Sequence, residues 1–179
     1  MNDDVVERGG VSLPDPKGAE EKSFAPPPSA PAVELQALRR TFGDKVAVGG
    51  LDLQVFAGEF FALLGPNGAG KSTTIKMATA MLRPTSGRAF VMGYDAAVDP
   101  LAVKRRIGVL PEEVQLYERM TPVETLAFHG ALNGLPKDEI AKRTAELLDL
   151  LELAAADRRR MIVDFSMGMR KKTALACAL

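Results

Sequence analysis

Tryptophan is absent from this 179-residue chain, cysteine and histidine occur once each, and aromatic residues make up only 6%. One cysteine cannot form an internal disulfide, and one cysteine with one histidine supplies too few ligands for a zinc cluster. So few aromatics leave no broad stacking platform. An excess of one charge is also lacking: 23 basic residues balance 23 acidic ones, which excludes a strongly basic nucleic-acid binder on charge alone. No stretch approaches the ~20 consecutive apolar residues that a membrane helix needs. What is present, 46% hydrophobic residues, suffices for the core of one ordinary domain. The lone cysteine makes a reducing, cytosolic setting the expectation.

The first 31 residues differ from the rest. They hold 6 of the 12 prolines, and their 6 acidic and 3 basic groups give a net charge of −3. Only 9 of the 31 are apolar, without helical or strand period, so burial cannot offset the entropy of ordering them. Residues 1–32 are therefore expected to be a disordered tail, whose run Pro26 to Pro31 favours an extended polyproline linker. Asp3, Asp4 and Glu7 stand where a secretory signal needs positive charge, so no signal peptide is expected.

From residue 33 the patterning tightens. Leu35 to Arg40 and Leu51 to Val55 read as strands, the second alternating Leu51, Leu53, Val55. Gly58 closes the pair. Glu59 to Leu64 is continuously apolar after its first residue, which predicts a strand buried on both faces of a parallel sheet. Directly behind it comes Gly65, Pro66, Asn67, Gly68, Ala69, Gly70, Lys71, Ser72, Thr73. Two glycines with four residues between them, then a lysine and a hydroxyl, have the spacing of a phosphate loop. The glycines let the backbone curl with its N–H groups inward, and a helix starting near Lys71 adds its positive end. Lys71 can reach β- and γ-phosphates, Ser72 can offer its hydroxyl to a Mg²⁺ ion, and Thr73 lies toward the α-phosphate.

A phosphate loop is shared by kinases, GTPases and transport ATPases. Small-molecule kinases place it after their first strand, whereas two strands precede it here. The Asn-Lys-x-Asp guanine reader of GTPases is absent from the chain. Downstream, a helix from Lys71 to Leu82 is stopped by Arg83 to Gly87, and a strand follows at Arg88 to Met92. Pro100 to Arg106 predicts a short helix, and Ile107 to Leu110 another buried strand. Thr121, Pro122, Val123, Glu124 is a capping box that starts a helix ending near Gly134, and a second helix is expected over Lys137 to Leu153. The alternation predicts an α/β fold. Ser166 reads as the N-cap of a last helix, and Gly168 leaves the amides there uncovered, a second place for an anion. His129 and Cys177 read as an ordinary helix residue and a small core residue.

Taken together, Thr41 to Asp44, Gly65 to Thr73 and Phe165 to Met169 resemble the ATP-binding subunit of an ABC transporter, and the resemblance runs from about Val33 to Leu179. It implies a P-loop NTPase fold of ABC type: an antiparallel β subdomain, a parallel-sheet core and a helical subdomain at about 112–165, with the C-terminal part missing. It implies that Phe42 stacks on adenine, that Gly65 to Thr73 hold the phosphates of ATP, and that Ser166 and Gly168 belong to the signature motif. Met167 and Met169 replace the usual glycine and glutamine there. With the following Arg170, Lys171 and Lys172, the variant resembles the subgroup serving multi-subunit exporters. At the family's glutamine loop stands Glu112, which can still supply an oxygen to Mg²⁺ or to water. The aspartate, catalytic glutamate and switch histidine that family members carry beyond the signature helix have no counterpart in the chain.

The resemblance further implies a head-to-tail dimer in which ATP on Gly65 to Thr73 of one copy meets Ser166 and Gly168 of the other, with Lys71 and Glu112 as the catalytic groups present. A separate transmembrane permease would hold the subunit at the inner face of the cell membrane, with no nucleic acid involved. The 179-residue chain alone is expected to be aggregation-prone and to show no turnover. The rival reading is a nucleotide-binding module without hydrolysis; a soluble ABC protein acting on ribosomes or DNA normally joins two such domains, which the length argues against.

Overall fold

The computed structural model describes residues 30–179; the tail and its proline run lie, up to residue 29, outside the described residues. Strands β1 (Pro31–Phe42) and β2 (Lys45–Phe56) form a long antiparallel hairpin, and β3 (Ser86–Val91) and β4 (Tyr94–Asp95) extend it in the order β2-β1-β3-β4. Pro31 is the first residue of β1, where its missing N–H breaks no interior rung.

Leu35 and Leu38 are both buried although three residues apart, which strict alternation would forbid. The register shifts between them, Ala37 takes φ 44°, and the Asp52 carboxylate accepts the Ala37 N–H at 2.7 Å. This bulge returns Leu38 to the core face. Leu35, Leu38, Ala89 and Val91 from the sheet pack with Met77 of helix α1 (Lys71–Ala78) and Val103 of helix α2 (Pro100–Lys104). A second core joins α3 (Pro122–Leu132), α4 (Lys137–Leu150) and α5 (Met167–Ala178) through Leu126, Leu148, Ile162, Phe165 and Ala176.

The capping box forms as read: Thr121 Oγ1 accepts the Glu124 N–H at 3.2 Å, and Glu124 Oε2 accepts the Thr121 N–H at 2.8 Å. Helix α1 is shorter than expected, since Ala80 turns to φ 56° and the Met81 and Leu82 amides bond back to the Lys76 carbonyl.

The expected parallel core strands require correction. Glu59 to Leu64 and Ile107 to Leu110 are not strands, and every pairing among the described residues is antiparallel. Phe60 is fully exposed and Leu64 is 86% exposed. An apolar run becomes a strand only when neighbours on both sides accept its ladder bonds; no described strand lies along either segment.

Candidate functional site

The loop over residues 65–70 leads into α1 without a side-chain cap. Gly70, the N-cap, sits at φ 88°, and the first turn of α1 has no acidic residue. The amides of that turn therefore keep their positive end uncompensated, which suits an anion. Gly70 also allows a close approach: a Cβ there would collide with the carbonyl oxygen of Ala47 and press within 3.1 Å of Val48 Cγ2. Gly68, at φ 85°, has open space around it. Lys71 folds back over the loop and donates from Nζ to the carbonyls of Gly65 at 2.7 Å and Pro66 at 2.8 Å. Ser72 is exposed and Thr73 half-buried, while Thr74 points into the core.

The contact between Gly70 and Ala47 brings a second predicted residue to the same corner. In the hairpin register Phe42 pairs with Lys45, Thr41 with Val46 and Arg40 with Val48, so the turn bearing Phe42 adjoins the strand residues against which the loop packs. Phe42 is 47% exposed. The guanidinium of Arg40 lies 4.6 Å from its ring centroid.

Ser166 caps α5 by accepting the Met169 N–H at 3.3 Å. Gly168 is exposed, with only Ser166 Oγ, 3.9 Å away, near a would-be Cβ. Glu112 is exposed in the loop between α2 and α3 and makes no hydrogen bond or ion pair to any described residue. That loop is fastened at its far end. The Val163 N–H donates to the Glu118 carbonyl and the Ile162 N–H to the Met120 carbonyl, both at 2.9 Å. Arg170 of α5 bonds the Glu118 carboxylate at 2.9 Å and the carbonyls of Val163 and Phe165 at 3.2 and 3.3 Å. In the sequence Arg170 is one of three consecutive basic residues; Glu118 lies 52 positions away, and no local pattern joins them.

A half-open cavity of about 1050 Å³ lies elsewhere, between the end of α2, the following loop, α3, α4 and α5, with His129 and Cys177 in its wall. No helix among the described residues is long and apolar enough to cross a membrane.

Residues 48–179 match the family model described as ABC transporter. The daunorubicin/doxorubicin resistance ATP-binding protein DrrA of Streptomyces peucetius is 40% identical over 148 residues, 83% of this chain and 44% of that protein. The linearmycin resistance ATP-binding protein LnrL of Bacillus subtilis (strain 168) is 37% identical over 147 residues, 82% of this chain and 47% of that protein. The chain thus spans less than half the length of these curated relatives. Among solved structures, the ATP-binding subunit of an ABC transporter superposes with a TM-score of 0.74 at 32% identity, covering 82% of this chain and 61% of that one. A dimeric post-hydrolysis ATP-binding cassette bound to ADP and phosphate superposes with a TM-score of 0.73 at 23% identity, covering 82% and 68%, a likeness of fold. With the hairpin, the glycine-entered helix and the capped α5 in the same order as the motifs, this chain belongs to the ABC transporter family and carries the P-loop NTPase fold of ABC type.

Proposed function

We propose that the chain is the nucleotide-holding part of an ATP-binding subunit that couples ATP binding and hydrolysis to transport through a separate membrane subunit. The observation that carries this reading is the N-terminus of α1, free of a side-chain cap and of acidic residues, with the Lys71 ammonium already drawn over the loop that precedes it. A triphosphate tail entering the loop would take the α1 amides as donors and exchange two neutral carbonyls for charged oxygens at Lys71, a stronger bond. Phe42, at the same corner, would stack on the adenine.

Mg²⁺ fits as an ion carried by the nucleotide. Ser72 offers one exposed hydroxyl, Glu112 is the carboxylate that motif order puts forward, and no cluster of three acidic, His or Cys ligands forms among the described residues. When bound, the ion neutralises charge on the β- and γ-phosphates.

The exposed start of α5, with Ser166 and Gly168, would meet the γ-phosphate held by a second copy in a head-to-tail pair. The helical region at about 112–165 would face the permease and hold the subunit at the inner face of the membrane.

The test is magnesium-dependent uptake of a fluorescent ATP analogue, with phosphate release, by the full-length subunit. Lys71→Ala should abolish release and weaken uptake by about tenfold or more, the scale of a lost charge-assisted hydrogen bond. Uptake unchanged by Lys71→Ala would reject this loop as the site, and binding without release would make the protein a nucleotide-binding module.

A further inference from the structure

We infer that Arg40 is a positioning residue for the nucleotide base: it holds one face of the Phe42 ring so that the other face is offered to adenine. The inference rests on the nucleotide reading above and adds to it a residue that no motif singled out. Arg40 and Phe42 lie two apart on β1 and so share a face of the sheet. The guanidinium carbon is 4.6 Å from the ring centroid, within cation–π range.

The arginine is itself held. Its Nη1 donates to the Arg83 carbonyl at 2.8 Å, in the turn that leaves α1. Beside it, the Thr41 N–H donates to Thr85 Oγ1 at 3.1 Å, fixing the end of β1 to the same turn. The ring that would meet the base is thereby registered to the chain leaving the helix that would meet the phosphates. Arg40 Nε is buried without a hydrogen-bond partner. An unmet buried donor is a cost, and Arg40 bears it while keeping both the bond to Arg83 and the contact with the ring.

Among the described residues two other arginines lie over rings, Arg88 over Phe90 and Arg106 over Tyr94, but those rings are half-buried. Phe42 is the exposed ring of the three, and it adjoins the strand packed on Gly70. Arginine suits the role because its planar guanidinium can lie flat on a ring while its edge donates elsewhere.

The experiment compares equilibrium binding of ATP and of inorganic tripolyphosphate, both with Mg²⁺, to the full-length subunit. Arg40→Gln should weaken ATP about fivefold, the scale of a cation–π contact, and leave tripolyphosphate unchanged. In a Phe42→Ala background the same substitution should have no further effect, because Arg40 acts through the ring. Unchanged ATP affinity in Arg40→Gln would overturn the inference, as would equal weakening of ATP and tripolyphosphate. A wild-type protein that takes up neither ligand would instead remove the nucleotide reading, and this inference with it.

Discussion

Gly70 shows how much one side-chain atom can decide. Replacement by alanine would force a Cβ into the Ala47 carbonyl and a left-handed φ of 88° onto a residue that resists it. Gly68→Ala meets only the second of these, at about 1–2 kcal/mol. Gly70→Ala should therefore lower the urea midpoint of the chain clearly more than Gly68→Ala does, and equal midpoints would mean that β2 does not press on the loop. Cys177 carries a different expectation. Burial pushes its thiol up to about 11 from 9.0, so near pH 8 its thiolate is about a hundredfold scarcer than that of an ordinary cysteine. Iodoacetamide should label Cys177 correspondingly faster in urea than in the folded protein; equal rates would show the side chain to be open to solvent. At this scale the sequence was most informative, because the phosphate loop and the α5 cap are local patterns whose chemistry travels with residue type. The bond from Arg40 to Arg83 and the pair Glu118 and Arg170 are invisible for the opposite reason: each joins residues more than 40 positions apart.

Among the elements, α3 is the clearest case of a boundary written in the chain, and it is also the one with a pH signature. The Thr121 N–H, then the Thr121 hydroxyl, hold the Glu124 carboxyl below its ordinary 4.5. Because the folded value is lowered, the stabilisation is fully present above 4.5 and is lost as pH falls through the folded value. Glu124→Gln keeps an acceptor for the Thr121 N–H but not the charge. The stability gap between wild type and Glu124→Gln, read from urea midpoints, should be full at pH 7 and shrink as the pH is taken below 4.5; a constant gap would mean that the charge contributes nothing to the cap. Strands were less legible than helices, and the reason is physical. A helix satisfies its backbone within itself, so Thr121 and Ser166 suffice to start one, whereas a strand needs partners that its own residues do not name. Leu35 to Arg40 was recognised because a hairpin partner follows at once. Its bulge at Ala37 and the two-residue strand at Tyr94 depend on Asp52 and on β3, and no local pattern announces them.

For the whole molecule the question is where the apolar surface goes. The described residues form two cores, one under the sheet and one among α3, α4 and α5, while the segments over residues 59–64 and 107–110 run without strand partners among them. Phe60 and Leu64 are left in solvent and Leu110 is half-exposed, and a fully exposed side chain of this size forgoes about 1.5–3 kcal/mol of burial. A patch of that kind invites self-association. It also makes Phe60 a gauge of how this segment is used. In the arrangement described, Phe60→Ser should shift the unfolding free energy of the 179-residue chain by no more than about 0.5 kcal/mol, as at other surface sites, and should reduce dye binding and light scattering by the concentrated protein. Were the segment packed as a two-sided core strand, the same substitution would cost about 3–5 kcal/mol, as truncation of a buried phenylalanine does. The two figures differ by several times the error of a denaturation curve, so one titration decides whether the run that precedes the 65–70 loop is covered or bare.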